Sequence, residues 1–293
     1  MAVKGIDVSK WQGDVDFRKV KADGYDFVII SAGYGMYSWQ KDSYFETNYK
    51  NAKAAGLGVG AYWYSYAVNR QQAREEARVF LEAVEGKVFD YPLCFDIEDS
   101  SQAGLSREVI GEMIEEFCTY LEDRGYYAAL YSYAYFLQNR VPEWCRQRYD
   151  VWVAAFDVDK PPYSGNYGMW QYTSSGRVYG VNGRCDCDYA YKDYPAIMAE
   201  YGLNGYGEVT KPVLDSEGYR IGDEGIGVYG MKRLIMLGYR LGMVSAELGD
   251  HGYFGEGTDT DVNELLESWG YRPDGTAGEN FMRRLWQELE KKI

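Results

Sequence analysis

The sequence predicts an α/β fold: an irregular, TIM-like (β/α) barrel followed by a second, small and mainly α-helical domain. Two patterns lead to this prediction. Up to about residue 195, short runs of β-forming residues alternate with helical stretches, which is typical of a largely parallel sheet closed into a barrel. After residue 213, apolar residues recur at helical spacing instead.

The elements of the first part follow from local patterns. Runs of β-branched and aromatic residues predict strands at residues 4–8, 27–32, 58–65, 93–97, 128–132, 151–155 and 169–172. Helices are predicted at residues 44–55, 70–84 and 107–124, the last with Ser106 as its N-cap. In such barrels the reactive groups lie at the C-terminal ends of the strands, where Asp7, Asp96 and Glu98 fall.

A change of composition predicts the domain boundaries. Glycines, Asn204 and Pro212 give residues 196–212 the character of a linker between a first domain, residues 1–195, and a second domain, residues 213–293. Helices are predicted in the second domain at residues 231–237, 261–268 and 280–289.

Charge, cysteine and histidine content exclude several classes of function. The net charge of −14, without a basic run, disfavours a nucleic-acid partner. Five cysteines without paired spacing favour reduced thiols over a zinc site or a disulfide framework. His251 is the only histidine, which argues against histidine-dependent peptidases and amidases and leaves carboxylates as acid and base. We expect no metal and no organic cofactor.

The N-terminal residues lack an apolar signal-peptide core, and no later stretch is as long as a membrane span. We therefore expect cytoplasmic synthesis without a signal peptide, no membrane partner, and any action outside the cell to follow release by another route.

Two acids near the end of an apolar run suggest a chemical function. If residues 93–98 form a strand, Asp96 and Glu98 point to one side and Phe95 and Ile97 to the other. At this spacing one acid can stay protonated while the other is ionised, which is the division of labour that glycoside hydrolysis needs. The alternative is a strand that runs out into a solvated acidic turn.

Motifs across the first 195 residues resemble those of the family 25 glycoside hydrolases, the lysozymes (N-acetylmuramidases) found in many phage endolysins. The matching stretches occur in the family's order: Gly5-Ile6-Asp7-Val8-Ser9-Lys10-Trp11-Gln12-Gly13, Ala54-Ala55-Gly56-Leu57-Gly58-Val59-Gly60-Ala61-Tyr62, Phe95-Asp96-Ile97-Glu98, Trp152-Val153-Ala154, Trp170-Gln171-Tyr172 and Gly180-Val181-Asn182-Gly183-Arg184-Cys185-Asp186. One departure is Trp63-Tyr64, where relatives often carry His-Phe.

The resemblance implies roles for four acids. Glu98 resembles the general acid, Asp96 the carboxylate that stabilises charge on the sugar, and Asp7 and Asp186 two further acids of the same pocket. Asp7 could instead cap the first strand, and Asp188 could occupy the site in place of Asp186. Because the family is thought to use either the substrate's N-acetyl group or direct displacement, the stereochemistry stays open.

Aromatic residues at strand ends are candidates for stacking on sugars, with core packing as the alternative for each. They are Tyr34, Tyr62, Tyr64, Tyr131, Trp152 and Trp170.

The C-terminal domain more weakly resembles small three-helix peptidoglycan-binding domains, in Gly252-Tyr253-Phe254-Gly255 and Asp274-Gly275-Thr276-Ala277-Gly278 among other stretches. Self-association through this domain, or a purely structural role, is the alternative. Together these features predict a peptidoglycan hydrolase that cleaves the β-1,4 bond between N-acetylmuramic acid and N-acetylglucosamine. The competing interpretations are a chitinase-like β-1,4-N-acetylglucosaminidase and a non-catalytic glycan-binding barrel.

Overall fold

The computed structural model describes residues 2–207, 214–245 and 247–292. The chain divides into two compact units, Met1–Val209 and Thr210–Ile293. Each unit has its own hydrophobic core.

The first unit is a closed eight-stranded barrel, which confirms the α/β barrel that the sequence predicts for this part of the chain. Neighbouring strands from β1 to β7 are parallel, and β8 closes the barrel by running antiparallel to both β7 and β1. The strands are β1 (Val3–Val8), β2 (Phe27–Tyr34), β3 (Gly58–Tyr64), β4 (Leu93–Asp96), β5 (Ala128–Tyr133), β6 (Asp150–Ala154), β7 (Met169–Gly176) and β8 (Cys185–Ala190). Strands β1 to β7 were predicted from the sequence, and β8 was not.

Helices and short helical turns connect the strands. The helices of this unit are α1 (Phe17–Ala22), α2 (Phe45–Ala54), α3 (Arg70–Val84), α4 (Arg107–Glu122), α5 (Ala134–Asn139), α6 (Glu143–Arg148) and α7 (Tyr194–Tyr201), with 3₁₀ turns at Lys10–Gln12, Ser38–Gln40 and Ser100–Gln102. Ser106 caps α4 as predicted, because its side chain accepts a hydrogen bond from Val109 N.

The apolar residues pack in two layers on either side of the barrel wall. Outside the wall, Phe95 of β4 stacks on Phe117 of α4 with ring centroids 4.0 Å apart. Inside, Phe27 and Tyr91 stack at 4.3 Å. Because side chains alternate along a strand, the outward position of Phe95 turns its neighbour Asp96 towards the barrel axis.

The segment that we expected to be a linker begins with regular structure. Residues 196–201 belong to α7. Asn204 is buried: its side-chain oxygen accepts a hydrogen bond from Tyr127 N, and its amide donates to Tyr91 O, both at 2.8 Å. The rest of the expected linker, residues 208–212, lies outside the described residues.

Among its described residues the second unit has three helices, α8 (Ile226–Arg240), α9 (Glu256–Ser268) and α10 (Glu279–Glu290). Each includes one of the spans that apolar spacing predicted. Their buried faces share one core that includes Ile235, Leu265 and Phe281. Among the described residues of the whole chain, no helix combines the length and apolar character needed to cross a membrane. All five cysteines are buried and carry free thiols, as predicted.

Candidate active site

The barrel topology brings the predicted acids to one end. Asp7 and Asp96 lie near the C-terminal ends of the parallel strands β1 and β4, and Glu98 follows two residues after Asp96. Asp186 of the antiparallel strand β8 is the register partner of Asp7. Asp188 lies two residues further along β8, so it faces the same side as Asp186. Both alternatives weighed for this position therefore belong to the same cluster.

A chain of hydrogen bonds holds Asp7 in place. Gln171 of β7 donates its side-chain amide to Asp7 Oδ2 at 2.7 Å, and Tyr131 of β5 donates its hydroxyl to Gln171 Oε1 at 2.8 Å. Burial, followed by the negative charges of Asp188 and Asp186, raises the pKa of Asp7 well above its usual range. Asp7 is therefore an inward-facing member of the acid cluster.

Asp188 is the most deeply buried acid of the cluster, with no exposed surface. Its Oδ1 accepts a hydrogen bond of 2.8 Å from the indole N–H of Trp152. Burial raises the pKa of Asp188, and the Trp152 hydrogen bond opposes that shift. Trp152 therefore supports the acid cluster from below.

Glu98 and Asp96 have the properties of an acid pair in a poorly hydrated site. Burial, followed by the negative charges of Asp186 and Asp99, raises the pKa of Glu98 to about 7. Burial and the nearby Glu98 raise the pKa of Asp96 well above its usual range. Within the described part of the chain, Asp96 Oδ1 and Glu98 Oε2 are buried and have no hydrogen-bond partner. Each acid therefore has one buried oxygen whose hydrogen-bonding capacity no protein group within the described residues satisfies.

Asp99 differs from these acids, as expected for a more solvated residue. Its carboxylate accepts hydrogen bonds from Ser101 N at 2.9 Å and from the Tyr64 hydroxyl at 3.2 Å. A hydrogen bond from the Ser101 side chain is the main cause that lowers the pKa of Asp99, and the bonds from Ser101 N and Tyr64 add to it. Asp99 thus serves as the N-cap of the 3₁₀ turn Ser100–Gln102.

Three of the six candidate aromatic residues line a groove at this end of the barrel. Tyr34, Tyr62 and Tyr64 border a cavity of about 350 Å³. Two of these tyrosines also lie close to the acids. Burial is the main cause that raises the pKa of Tyr62 and of Tyr64. The negative charge of Asp7 adds to the shift at Tyr62, and that of Glu98 adds to the shift at Tyr64.

The other three aromatic residues lie elsewhere. Tyr131 and Trp152 are buried beneath the acids, with ring centroids 4.4 Å apart. Trp170 lies on the face of β7 opposite to Gln171, where its indole N–H donates to Ala155 O at 2.8 Å. In this structure none of the three is open to stack on a sugar.

Several residues around the site were not predicted from the sequence to belong to it. Gln171 stands within the Trp170-Gln171-Tyr172 motif, but only the structure shows that Gln171, and not Trp170, faces the acids. Lys10, Trp11 and Tyr66 also line the groove. The signal that could have found this rim is Trp11, an aromatic residue three positions after the end of β1, which is 83% exposed in the structure.

A closed barrel that gathers carboxyl groups at the ends of its parallel strands, next to an aromatic groove, defines the class of barrel glycoside hydrolases. More specifically, the chain belongs to the glycosyl hydrolases family 25, whose family model matches residues 6–181.

Three similar proteins illustrate this relationship. The autolytic lysozyme of Clostridium acetobutylicum is 32% identical over 186 residues, which covers 64% of this chain and 55% of that protein. A bacterial lysozyme from Streptomyces coelicolor superposes with a TM-score of 0.60 at 27% identity, covering 68% of this chain and 96% of that one. The CTP1L endolysin has a TM-score of 0.59 at 20% identity and covers 91% of this chain and 98% of its own, a likeness of fold alone.

Proposed function

We propose that this protein is a peptidoglycan hydrolase, a lysozyme that cleaves the β-1,4 bond between N-acetylmuramic acid and N-acetylglucosamine. The observation that carries the proposal is the Glu98 carboxyl, whose pKa is raised to about 7 and whose Oε2 has no partner among the described residues. A group of this kind holds a proton near neutral pH and can give it to a leaving oxygen. Membership of family 25 and the similarity to a lysozyme support the same reaction.

The mechanism assigns different roles to the two acids. Glu98 donates its proton to the glycosidic oxygen as the bond from that oxygen to the anomeric carbon breaks. A water oxygen finally bonds to the anomeric carbon and gives up a proton to a carboxylate of the site, so that Glu98 is protonated again for the next turnover. Asp96 stabilises the positive charge that develops on the sugar, and this charge in turn lowers the pKa of Asp96 and favours its ionised form. Retention, inversion and assistance by the substrate's N-acetyl group all agree with these two roles.

Asp7 and Asp186 complete the proposed catalytic set. Asp186 adds negative charge that acts on Glu98, and Gln171 holds Asp7 through the 2.7 Å hydrogen bond. Tyr34, Tyr62 and Tyr64 are the proposed substrate-binding residues that border the groove. Tyr131 and Trp152 would contribute to binding indirectly, through their hydrogen bonds to Gln171 and Asp188, whereas Trp170 packs on the other side of the barrel wall.

The test is a digestion of purified peptidoglycan by the wild-type protein, Glu98→Gln and Asp99→Asn, followed by borohydride reduction and mass spectrometry. We expect reduced muramic acid ends from the wild type and at least a 100-fold slower release by Glu98→Gln, with binding retained. Asp99→Asn is the matched control, because it removes the neighbouring carboxylate and should keep most of the activity.

The other outcomes identify the rival functions. Reduced glucosamine ends would show a chitinase-like N-acetylglucosaminidase that uses the same acids. Binding of glycan without cleavage by the wild type would show a non-catalytic glycan-binding barrel. New amino groups without new reducing ends would contradict any glycosidase and would direct attention to His251, which lies in the second unit with its Nδ1 3.4 Å from Lys232 Nζ.

We further propose that the chain has the layout of an endolysin. Its catalytic domain, which the sequence ended at residue 195, extends through α7 and Asn204 and is followed by a linker and by a peptidoglycan-binding domain at residues 213–293. The separate core of the second unit supports a module with its own role. In this proposal the protein is made in the cytoplasm and reaches the cell wall after release. Pull-down of the full chain and of a chain that ends at residue 207 with purified sacculi tests wall binding, and size-exclusion chromatography tests the alternative of self-association.

A further inference from the structure

Lys10 occupies a fixed position on the rim of the site. It is the first residue of the 3₁₀ turn that follows β1, three residues after Asp7. Its backbone N–H donates to Asp42 Oδ2 at 2.9 Å, and Ser9 N donates to the Gln12 side chain at 2.9 Å. These hydrogen bonds fix the backbone of the turn and therefore the position from which the Lys10 side chain projects. The side chain itself is exposed.

The Lys10 ammonium is oriented by aromatic rings. Its Nζ lies 5.2 Å from the ring centroid of Trp11 and 5.5 Å from that of Tyr34. Cation–π contacts of this kind attract an ammonium without neutralising it, and the ammonium has three protons to donate. Over residues 2–207, 214–245 and 247–292, Lys10 forms no ion pair with an acidic side chain. The nearby Asp42 already accepts from two backbone N–H groups, those of Lys10 and Tyr44.

Lys10 is also the single cation in a groove that leads from the acids. Among the described residues that border the 350 Å³ cavity, Lys10 is the only basic one. Tyr64 borders the groove and is the register partner of Asp96 on the neighbouring strand β4, so a sugar at the acids would extend towards Lys10. Elsewhere the protein is strongly acidic, with a net charge of −14, which disfavours anionic ligands unless a local cation receives them.

We propose that Lys10 is a specificity-determining residue, whose ammonium binds a carboxylate carried by the muramyl unit of the substrate. This inference rests on the proposed function. A muramyl unit differs from N-acetylglucosamine by a lactyl ether that ends in a carboxyl group. That group is free in glycan without peptides, and in peptide-bearing wall it is amide-bonded to a peptide that has carboxylates of its own. Polymers of N-acetylglucosamine carry neither, so Lys10 would favour wall glycan over chitin.

The experiment compares wild type, Lys10→Met and Lys10→Arg on three soluble substrates. The first is peptide-bearing glycan strands, the second is strands stripped of peptides by an amidase, and the third is peptide-bearing strands whose carboxyl groups are converted to neutral methylamides. Lys50→Met is the matched control, because Lys50 is an exposed lysine on α2 that does not border the groove.

We expect Lys10→Met to lower kcat/KM about two- to fivefold on at least one charged substrate, mainly through KM, as for one partly exposed charge pair. Loss on stripped strands identifies the lactyl carboxylate as the ligand, and loss only on peptide-bearing strands identifies the peptide carboxylates. On methylamidated strands, Lys10→Met and wild type should be equal. Lys10→Arg should recover most of the loss, and Lys50→Met should behave as wild type.

Two results would overturn the inference: an equal loss by Lys10→Met on charged and methylamidated strands, which indicates a structural role, or no loss on any substrate. Failure of the proposed function looks different, because the wild type itself would then release no muramic acid reducing ends from any of the three substrates.

Discussion

At the scale of single residues, the acid strength of Glu98 depends on its neighbours. Its pKa of about 7 arises from burial first and from the charge of Asp186 second. Because only the protonated form can act as the acid, kcat/KM should fall as the pH rises above about 7. Asp186→Asn should move this alkaline limb to lower pH, since it removes a charge that favours the protonated form.

The measurement is the pH profile of kcat/KM on soluble glycan strands. Asp14→Asn is a suitable control, because Asp14 is exposed and is not among the causes that raise the pKa of Glu98. An unchanged alkaline limb in Asp186→Asn would show that Asp186 does not act on Glu98.

Two buried tryptophans provide a second residue-level prediction. Trp152 donates its indole N–H to Asp188, and Trp170 donates its own to Ala155 O on the other side of the barrel wall, both at 2.8 Å. Trp152→Phe and Trp170→Phe should each lower the free energy of unfolding by about 1–3 kcal/mol, measured with urea. Only Trp152→Phe should also lower kcat, by roughly tenfold, because only its partner belongs to the acid cluster. Equal kcat values for the two variants would argue against a supporting role for Trp152.

The sequence predicts the positions of some of these residues correctly and of others wrongly, for a physical reason. Period-two alternation identified Asp96 and Glu98 because Phe95 and Ile97 mark the opposite face. In a barrel strand both faces are buried, so alternation alone does not tell which face lies inside. For this reason Trp170 was expected at the sugar although its neighbour Gln171 is the residue that reaches Asp7.

At the scale of elements, a buried network joins the loop after β3 to the segment after β4. Glu76 of α3 accepts hydrogen bonds from Ser65 Oγ at 2.6 Å and from Tyr66 N at 2.8 Å. Gln102 donates to the backbone oxygens of Ser65 and Ala67, at 3.2 and 3.1 Å. The network thus fixes the loop that carries Tyr66 into the groove.

Glu76 should make stability depend on pH. Burial raises its pKa to about 7, above the value of 4.5 that applies when it is unfolded. Between these two values the folded protein binds the proton and the unfolded chain does not, so Glu76 contributes stability at low pH that is lost as the pH rises towards 7. Glu76→Gln should remove this trend, which is worth about 2–3 kcal/mol between pH 4.5 and 8.

Urea denaturation of wild type and Glu76→Gln at pH 5 and pH 8 measures the effect. Glu75→Gln is the matched control on the same helix, because Glu75 is paired with Arg78 at the surface and should change stability little at either pH. The same loss of stability from pH 5 to pH 8 in Glu76→Gln as in wild type would contradict the assignment.

Strand β8 shows why one element escaped prediction. Its sequence Cys185-Asp186-Cys187-Asp188 places acids on the inner face, where a strand usually shows apolar residues. Because the site needs acids at these positions, β8 lacks the apolar residues by which a strand is recognised from sequence. The seven other strands keep ordinary β-rich runs and were found from sequence.

At the scale of the whole molecule, composition predicted two domains but not their boundary. The glycine-rich segment after residue 201 led us to begin the linker at residue 196, whereas α7 continues to Tyr201 and Asn204 is bonded to the barrel. A high glycine content indicates that the backbone has conformational freedom. It does not indicate whether a nearby side chain, such as that of Asn204, forms buried hydrogen bonds. A fragment that ends at residue 195 would therefore lose contacts that a fragment ending at residue 207 keeps.

The two separate cores predict that the units fold independently. Residues 1–207 contain the whole barrel with the cores on both sides of its wall, and the second unit has a core of its own. In differential scanning calorimetry, a 1–207 fragment should melt in one cooperative transition that matches one of two transitions in the full chain. It should release reducing ends from soluble glycan strands at the wild-type rate and lose binding to sacculi. As a control, a 1–195 fragment should melt at a lower temperature because it lacks most of α7 and the Asn204 hydrogen bonds. An unfolded 1–207 fragment would show instead that the barrel depends on the second unit for its stability.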